Sequence, residues 1–204
     1  EAASNYLATA FKGFFEIIQE RHPASGLGLV YSGHGSGSGG LFANSIYPKD
    51  ARKMFIDVTG KLDRKLDWFD LGGPCNEGQF EALINFAPFF QYIVASDLPN
   101  GGYSFDDWDF EKFKETKADY LYPELLGPDV DLLETMKIIQ QRRRLGYEYS
   151  LNNMIGDEVE QANYIYDSEQ FLKFAAAFQV ALLENQASEE ARISLGNYND
   201  VLTL

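Results

Sequence analysis

The chain has 204 residues, of which 45% are hydrophobic and 15% aromatic, which is enough for one packed globular domain. Its 31 acidic and 17 basic residues give a net charge of −14, so nucleic acid is not a predicted partner, because it would be repelled. No run of 18 apolar residues occurs, so no membrane-spanning helix is predicted, and the single cysteine excludes an internal disulfide.

The first part of the chain alternates between strands and helices. Apolar residues at helical spacing predict helices, and short apolar runs bounded by glycine or proline predict buried strands. The elements predicted in order are a helix over 3–21, a strand over 27–31, a glycine-rich loop over 32–40, a helix from Pro48 to about Val58 that Gly60 ends, and a strand over 65–71.

The second part continues the same pattern with a less regular middle. The elements predicted in order are a helix over 76–90, a strand over 92–96, an aromatic insertion over 104–128, a helix from Asp129 to about Leu145 that Gly146 stops, a surface loop over 147–158, a strand over 163–166 and a helix over 168–185. The inward face of this last helix is predicted to carry Phe171, Phe174, Ala175, Phe178 and Leu182. This alternation is typical of an α/β protein in which helices cover a mainly parallel sheet.

One histidine and the single cysteine each follow a predicted strand. His34 lies in the glycine-rich loop, and Cys75 follows the strand over 65–71. Consecutive parallel strands place their carboxyl ends at one edge, so His34, Cys75 and the loop after Ser96 are expected to share that edge. A phosphate-binding loop is not predicted there, because no lysine follows the glycines as that motif requires.

A cysteine and a histidine at one sheet edge can form a catalytic dyad. A free thiol has a pKa of about 8.5 and reacts as the thiolate, so an imidazole that takes its proton activates it. The backbone N–H groups of Gly35 and Cys75 are candidate donors for an oxyanion. A lone cysteine behind a strand is also commonly a small buried hydrophobic residue, so the residues alone leave both interpretations open.

Three segments together resemble the clostripain family of cysteine peptidases, which has the caspase-haemoglobinase fold. They are Tyr31-Ser-Gly-His-Gly-Ser-Gly37, Lys65-Leu-Asp-Trp-Phe-Asp-Leu-Gly-Gly-Pro-Cys-Asn-Glu-Gly78, and Tyr92-Ile-Val-Ala-Ser-Asp97 with Pro99-Asn-Gly-Gly-Tyr103. The family has His-Gly-Ser-Gly, Asp-Ala-Cys, and Val-Ala-Ser-Glu with Gly-Asp-Gly-Trp at these places. The segment Asn163-Tyr-Ile-Tyr-Asp-Ser-Glu-Gln-Phe-Leu172 is similar to a later strand and helix of the family.

The resemblance covers residues 3–185 and implies a caspase-like three-layer αβα sandwich. It implies one peptidase domain over 1–185, with 186–204 as a peripheral segment, and a cysteine endopeptidase activity on peptides or proteins. No cofactor and no metal-ligating residue is predicted, and the sequence leaves a need for calcium open. The roles that the resemblance implies are His34 as general acid and base, Cys75 as nucleophile, Gly35 and Cys75 as oxyanion donors, and Ser96, Asp97 and Gly101 as substrate-binding residues.

The chain departs from the family pattern at three places. Gly73-Pro74 stands where the family has Asp-Ala before its cysteine, and Gly101 stands where the family has the acid of its pocket for arginine or lysine. Asp97, Asp106 or Asp107 are the acids that could replace it. The two strands that open the family's sheet are missing, so this chain is expected to belong to a longer protein.

Two other functions stay open beside the peptidase. One is a catalytically silent caspase-like domain that binds a peptide or a partner protein, which the two substitutions at Gly73-Pro74 and Gly101 favour. The other is an acidic structural domain within a larger surface protein, suggested by the net charge of −14. The residues fix no compartment, and the resemblance favours a secreted or periplasmic location.

Overall fold

The computed structural model describes residues 2–22, 26–31, 33–71, 76–97, 130–151 and 163–184. The elements in chain order are α1 (Ala2–Arg21), β1 (Gly28–Val30), α2 (Pro48–Leu62), β2 (Leu66–Leu71), α3 (Phe80–Phe86), β3 (Phe90–Ala95), α4 (Leu132–Leu151), β4 (Tyr164–Asp167) and α5 (Ser168–Glu184). The predicted α/β class is confirmed. Among the described residues, no helix has the length and apolar character needed to cross a membrane.

The four strands form one sheet in the order β1-β2-β3-β4. The first three are parallel, and β4 pairs antiparallel with β3. The register aligns Leu29, Phe69, Ile93 and Tyr166 in one row across the sheet. Since a helix connects β1 to β2 and another connects β2 to β3, the three parallel strands all end at the same edge. The predicted mainly parallel sheet is therefore confirmed.

One face of the sheet packs on the main hydrophobic core, which centres on aromatic rings. Phe55 of α2 is fully buried there, and its ring centroid lies 6.0 Å from Phe69, 6.1 Å from Phe86 and 5.1 Å from Phe90. These edge-to-face contacts suit the quadrupoles of the rings and bring one helix, two strands and a second helix together. The core therefore fixes where β2 and β3 lie under α2 and α3.

The opposite face of the sheet is also covered. Val94 points away from the main core because side chains alternate along a strand, yet it is 2% exposed. Tyr92 lies on the same face and interacts electrostatically with Lys137 of α4. The buried side chains of Met136 and Ile139 also belong to α4 and lie outside the main core. Helices on both faces give the predicted three-layer αβα arrangement.

The two helices before and after β1 are tied together by polar contacts. The hydroxyl of Ser4 donates to the Asp50 carboxylate and accepts a hydrogen bond from the Tyr47 backbone N–H at 2.8 Å. Further along, the Lys12 Nζ lies 2.7 Å from the Asp57 Oδ2. The contacts run in the same direction along both helices, so α1 and α2 lie side by side and parallel.

The helix that Gly60 was expected to end continues for two more residues. It ends at Leu62, and Asp63 then takes the left-handed conformation with φ 52° and ψ 31°. Leu62 packs on the core, and the Lys61 Nζ forms an ion pair with the Glu16 carboxylate of α1 at 2.5 Å. These tertiary contacts outweigh the weak helix propensity of one glycine.

The helix predicted over 76–90 is much shorter than expected. It covers only Phe80–Phe86, because the residues before it form a turn and those after it enter β3. The Leu66 N–H donates to the Phe89 carbonyl at 2.8 Å, and Phe90 pairs with Leu66 in the sheet. An apolar run does not distinguish a helix from a buried strand, so periodicity alone misplaced this boundary.

Two further expectations about the late helices are wrong. Gly146 does not stop α4, which continues to Leu151 and so includes the first residues of the predicted surface loop. Ala175 is buried and Phe171 packs on the core as predicted, but Phe174 and Phe178 are exposed by 58% and 37%, and contact Phe80 at ring-centroid distances of 6.5 and 5.8 Å. The predicted Asp129 cap and the segments 104–128 and 186–204 lie outside the described residues, and the domain boundary at 185 stays a prediction.

Two glycines offer a test of this packing. A Cβ on Gly60 would meet no atom within 4 Å, whereas a Cβ on Gly28 would collide with the indole of Trp68. We expect Gly60→Ala to raise the free energy of unfolding by about 0.5–1 kcal/mol, because alanine suits a helix interior better. We expect Gly28→Ala to lower it by about 1–3 kcal/mol, because the indole must move. Urea unfolding of both variants measures this, and an equal effect of the two would contradict the packing.

Candidate active site

The carboxyl ends of β1, β2 and β3 and the amino end of β4 meet at one edge of the sheet. The register there pairs Val30 with Asp70, Leu71 with Ala95, and Ala95 with Tyr164. The loops after the three parallel strands therefore start from neighbouring positions. Open α/β sheets bind their ligands at this kind of edge, so the residues of these loops define the candidate site.

The glycine-rich loop, Gly33–Gly40, follows β1 and carries the exposed side chain of His34. The hydroxyl of the buried Tyr31 donates to the His34 backbone carbonyl at 2.8 Å. The backbone amides of Phe42 and Ala43 are directed at the same hydroxyl oxygen. Burial raises the pKa of Tyr31 above its usual value of 10.0, so the phenol keeps its proton at neutral pH. The Tyr31 hydroxyl thus fixes the backbone at His34 by a hydrogen bond to its carbonyl.

The turn that ends the loop region has an unusual backbone. Three successive residues, Phe42, Ala43 and Asn44, have φ angles of 53°, 50° and 64°. Left-handed conformations cost non-glycine residues roughly 1–2 kcal/mol each. The Leu41 and Ile46 backbones hold the ends of the turn with two hydrogen bonds of 2.9 and 3.0 Å. The ring centroid of Phe42 lies 5.2 Å from that of Phe11 and 5.0 Å from that of Tyr31, so core packing helps to stabilise a backbone that the sequence alone does not favour.

A short turn, Asn76–Gln79, directly follows Cys75 in the chain and contacts both neighbouring loops. The Gly78 N–H donates to the Ser96 carbonyl at 2.7 Å, and a Cβ on Gly78 would lie 2.7 Å from the Ser96 carbonyl carbon. On the other side, Gly37 has a φ of 71°, and a Cβ there would collide with the side chain of Gln79. Glycines allow these backbones to approach closely on both sides.

Glu77 is a fully buried carboxyl group in this turn. Its Oε1 accepts a hydrogen bond from the Ser36 backbone N–H at 2.8 Å, and the Gly37 amide is directed at the same carboxyl group. Burial raises the pKa of Glu77 above its usual value of 4.5, and the two amides offset part of this effect. Within the described ranges, Oε2 has no hydrogen-bond partner. The turn after Cys75 therefore holds the loop of His34.

The end of β3 completes the edge on the other side. Ser96 is buried, and Asp97, which follows it, is exposed. The Tyr166 hydroxyl of β4 donates to the Gly78 carbonyl at 3.4 Å. Burial, and then the negative charge of Asp97, raises the pKa of Tyr166 to about 12. The carboxyl group of Asp97 and the phenol of Tyr166 thus lie beside the turn that follows Cys75.

Four of the predicted site residues are described, and all four lie at this edge. His34 and Gly35 lie in the glycine-rich loop, and Ser96 and Asp97 follow β3. Cys75 and Gly101 lie outside the described residues, so the His34–Cys75 dyad and the roles of all these residues stay predictions. Over the same described part of the chain, no group of three histidine, cysteine, aspartate or glutamate side chains is placed to hold a metal ion.

Sequence reasoning missed Glu77 and Tyr31. Both lie within the motifs that were recognised, but neither had a role there beyond ending a strand or following a cysteine. The available signal was an acidic residue directly after a buried strand and a glycine-proline break, where an uncompensated charge is costly. Nothing in the spacing reveals that the partner of Glu77 is a backbone amide 41 positions earlier.

No family model matches this sequence, and no curated protein matches it. Among solved structures, the chain is similar to the X-ray structure of an inactive zymogen of a C11 protease from Parabacteroides distasonis, with a TM-score of 0.55 and 15% sequence identity. The match covers 83% of this chain and 42% of that protease, so the chain spans less than half the length of that neighbour. The comparison confirms the caspase-like fold, and at this identity it concerns the fold alone.

The buried Glu77 carboxyl predicts a pH-dependent stability. Because its pKa is raised above 4.5 in the folded chain, the folded state keeps a proton that the unfolded state has released. Stability should therefore fall as pH rises from about 4.5 through the raised pKa, and level off above it. Tyr31, the titratable group that faces Glu77, ionises only above pH 10.0.

We expect Glu77→Gln to lack this decline, so that its stability relative to the original chain rises with pH. Urea unfolding from about pH 4 to about pH 8 measures the difference. Glu81→Gln is the matched control, because it makes the same chemical change four positions later at a side chain that is not fully buried. A difference between Glu77→Gln and the original chain that does not vary with pH would contradict the raised pKa.

Proposed function

We propose that this chain is the domain of a cysteine endopeptidase that hydrolyses peptide bonds through Cys75 and His34. The caspase-like fold supports this reading, because a protease zymogen has the same fold. The proposal also rests on the resemblance of the three sequence motifs to the clostripain family. It assigns His34 to proton transfer, Cys75 to nucleophilic attack, and the Gly35 and Cys75 backbone N–H groups to the oxyanion.

The observation that carries the proposal is the contact between the two loops that bear the proposed dyad. The loop of His34 and the turn that begins one residue after Cys75 are joined by the Ser36–Glu77 hydrogen bond of 2.8 Å. The same turn is joined to Ser96 by the 2.7 Å bond from Gly78. A cysteine nucleophile requires an imidazole close to its thiol, and these contacts support the proposal because Asn76, the first residue of the turn, is bonded directly to Cys75.

The proposed reaction has two half-reactions. The Cys75 thiolate attacks the peptide carbonyl carbon, forming a C–S bond and an oxyanion that the Gly35 and Cys75 N–H groups stabilise. His34 then gives its proton to the leaving amine as the C–N bond breaks, which leaves a thioester. Water attacks the thioester while His34 takes one of its protons, and the acid product leaves as the thiolate is restored.

Substrate binding is assigned to the loop after β3. Ser96, Asp97 and Gly101 are the proposed contacts, and Asp97 is the acid among them that the structure describes as exposed. An exposed carboxylate beside a reaction centre favours a positively charged or hydrogen-bond-donating substrate side chain. Asp97 is therefore the position at which we expect the residue preference of the enzyme to depend on charge.

A catalytically silent caspase-like domain is the second candidate. The Gly73-Pro74 pair before Cys75 favours it, because the resembled family has Asp-Ala there and proline removes a backbone N–H group. In that case Cys75 would have the reactivity of an ordinary thiol. The two candidates therefore differ in the rate at which Cys75 is alkylated.

The test is the rate at which a peptide acyloxymethyl ketone labels Cys75, followed by intact mass. We expect labelling much faster than that of a free thiol, and none in Cys75→Ala. We expect His34→Ala to slow it by about 10²–10⁴-fold, because general acid and base catalysis contributes about that much. His22→Ala is the matched control, since His22 is an exposed histidine just after α1, away from the sheet edge.

Labelling of Cys75 at the rate of a free thiol would contradict the proposed peptidase activity and favour the catalytically silent domain. An equal loss of labelling in His22→Ala and His34→Ala would remove the specific role of His34. Screening of a peptide library then gives the residue preference, with Asp97→Asn as the variant expected to weaken a preference for cationic residues.

A further inference from the structure

We propose that Glu77 is a positioning residue, which holds the loop of His34 and Gly35 in its reactive place by accepting the Ser36 backbone hydrogen bond. This inference deepens the proposed function and rests on it. Glu77 does not touch the substrate in this scheme. It acts through the backbone of the glycine-rich loop, Gly33–Gly40.

The geometry of the contact is specific to backbone positioning. Glu77 Oε1 receives the Ser36 N–H at 2.8 Å, and the Gly37 N–H is directed at the same carboxyl group. Both amides come directly after Gly35, whose own N–H is a proposed oxyanion donor. Two donors converging on one carboxyl group fix the orientation of the successive peptide planes. The orientation of the Gly35 peptide is thereby constrained from its carboxyl side.

A second hydrogen bond constrains the loop on its other side. The Tyr31 hydroxyl donates to the His34 carbonyl at 2.8 Å, and that carbonyl belongs to the same peptide group as the Gly35 N–H. The C=O and N–H of a trans peptide group point in opposite directions, so a hydrogen bond that fixes the carbonyl also fixes the direction of the N–H. Tyr31 and Glu77 therefore hold the proposed oxyanion donor between them, from the residue before it and the residues after it.

The burial of Glu77 indicates that this contact has a cost that the fold accepts. The side chain has 0% exposure, and within the described residues its Oε2 has no hydrogen-bond partner. An unsatisfied polar atom in a protein interior is destabilising. A leucine would fill similar space without that cost, whereas, of the two, only the carboxyl group can accept the Ser36 hydrogen bond that holds the loop.

The experiment compares Glu77→Leu and Glu77→Gln in the whole chain. Leucine fills the buried space but cannot accept the Ser36 hydrogen bond, whereas glutamine keeps a carbonyl oxygen in that place. We expect kcat to fall about 100-fold in Glu77→Leu with KM changed less than about threefold, the loss typical of one oxyanion donor. We expect Glu77→Gln to keep kcat within about fivefold, and Glu81→Gln to leave it unchanged.

Amide hydrogen exchange supplies a readout that does not need activity. In the original chain the Ser36 amide should be protected, and in Glu77→Leu its exchange should be at least about tenfold faster while the amides of β2 and β3 keep their protection. Unaltered β2 and β3 amides show that the variant folds. If Glu77→Leu does not fold, a Ser36 amide that exchanges freely in the original chain, or a kcat that falls about 100-fold in Glu77→Gln, still overturns the positioning role.

The outcomes separate the two proposals. A Ser36 amide that exchanges freely in the original chain, or full kcat in Glu77→Leu, overturns the positioning role and leaves the peptidase intact. A kcat in Glu77→Gln as low as in Glu77→Leu also overturns it, because the acceptor is then not what matters. Loss of Ser36 protection in Glu77→Leu without any Cys75-dependent peptidase activity in the original chain overturns the proposed function, and the catalytic part of this inference with it.

Discussion

The hydrogen bond from the Ser36 backbone N–H to the buried Glu77 carboxyl is the contact on which the candidate site depends. Parallel strands bring three loop origins to one edge, but they do not determine how the loops lie on each other. Glu77 joins the loop of β1 to the turn after β2, and the bond from Gly78 joins that turn to the end of β3. One turn therefore links all three loops, and glycines at Gly37 and Gly78 give it the space.

Much of the fold follows from local patterns in the sequence. The strand at Leu66–Leu71 and the helix that starts at Pro48 were predicted nearly to the residue, because apolar runs and proline are strong local signals. The predicted ends of helices and strands were wrong where tertiary contacts compete with local preference. Gly60 stays helical where Leu62 packs on the core and Lys61 pairs with Glu16, and Phe90 joins a strand that pairs with Leu66.

The sequence predicts which residues lie at the candidate site, but it does not predict the two residues that hold the site loops in place. His34, Gly35, Ser96 and Asp97 stand out because they follow strands and are rare or exposed chemical types. Tyr31 and Glu77 do not stand out, because a tyrosine at a strand end and an acid after a turn are common on protein surfaces. Their roles depend on burial and on partners distant in sequence, which no local pattern encodes.

The β4 strand has a consequence for how the protein acquires its site. The Tyr166 hydroxyl reaches the Gly78 carbonyl across 88 positions of sequence, while Ser36 and Glu77 are 41 positions apart. Contacts of such high sequence separation form after local helices, since long loops must first be closed. The edge is complete only when the last strand has docked against β3. Chains still emerging from the ribosome, or stalled as partly folded intermediates, would therefore lack the Tyr166–Gly78 contact, and the turn Asn76–Gln79 would be held on fewer sides than in the finished fold.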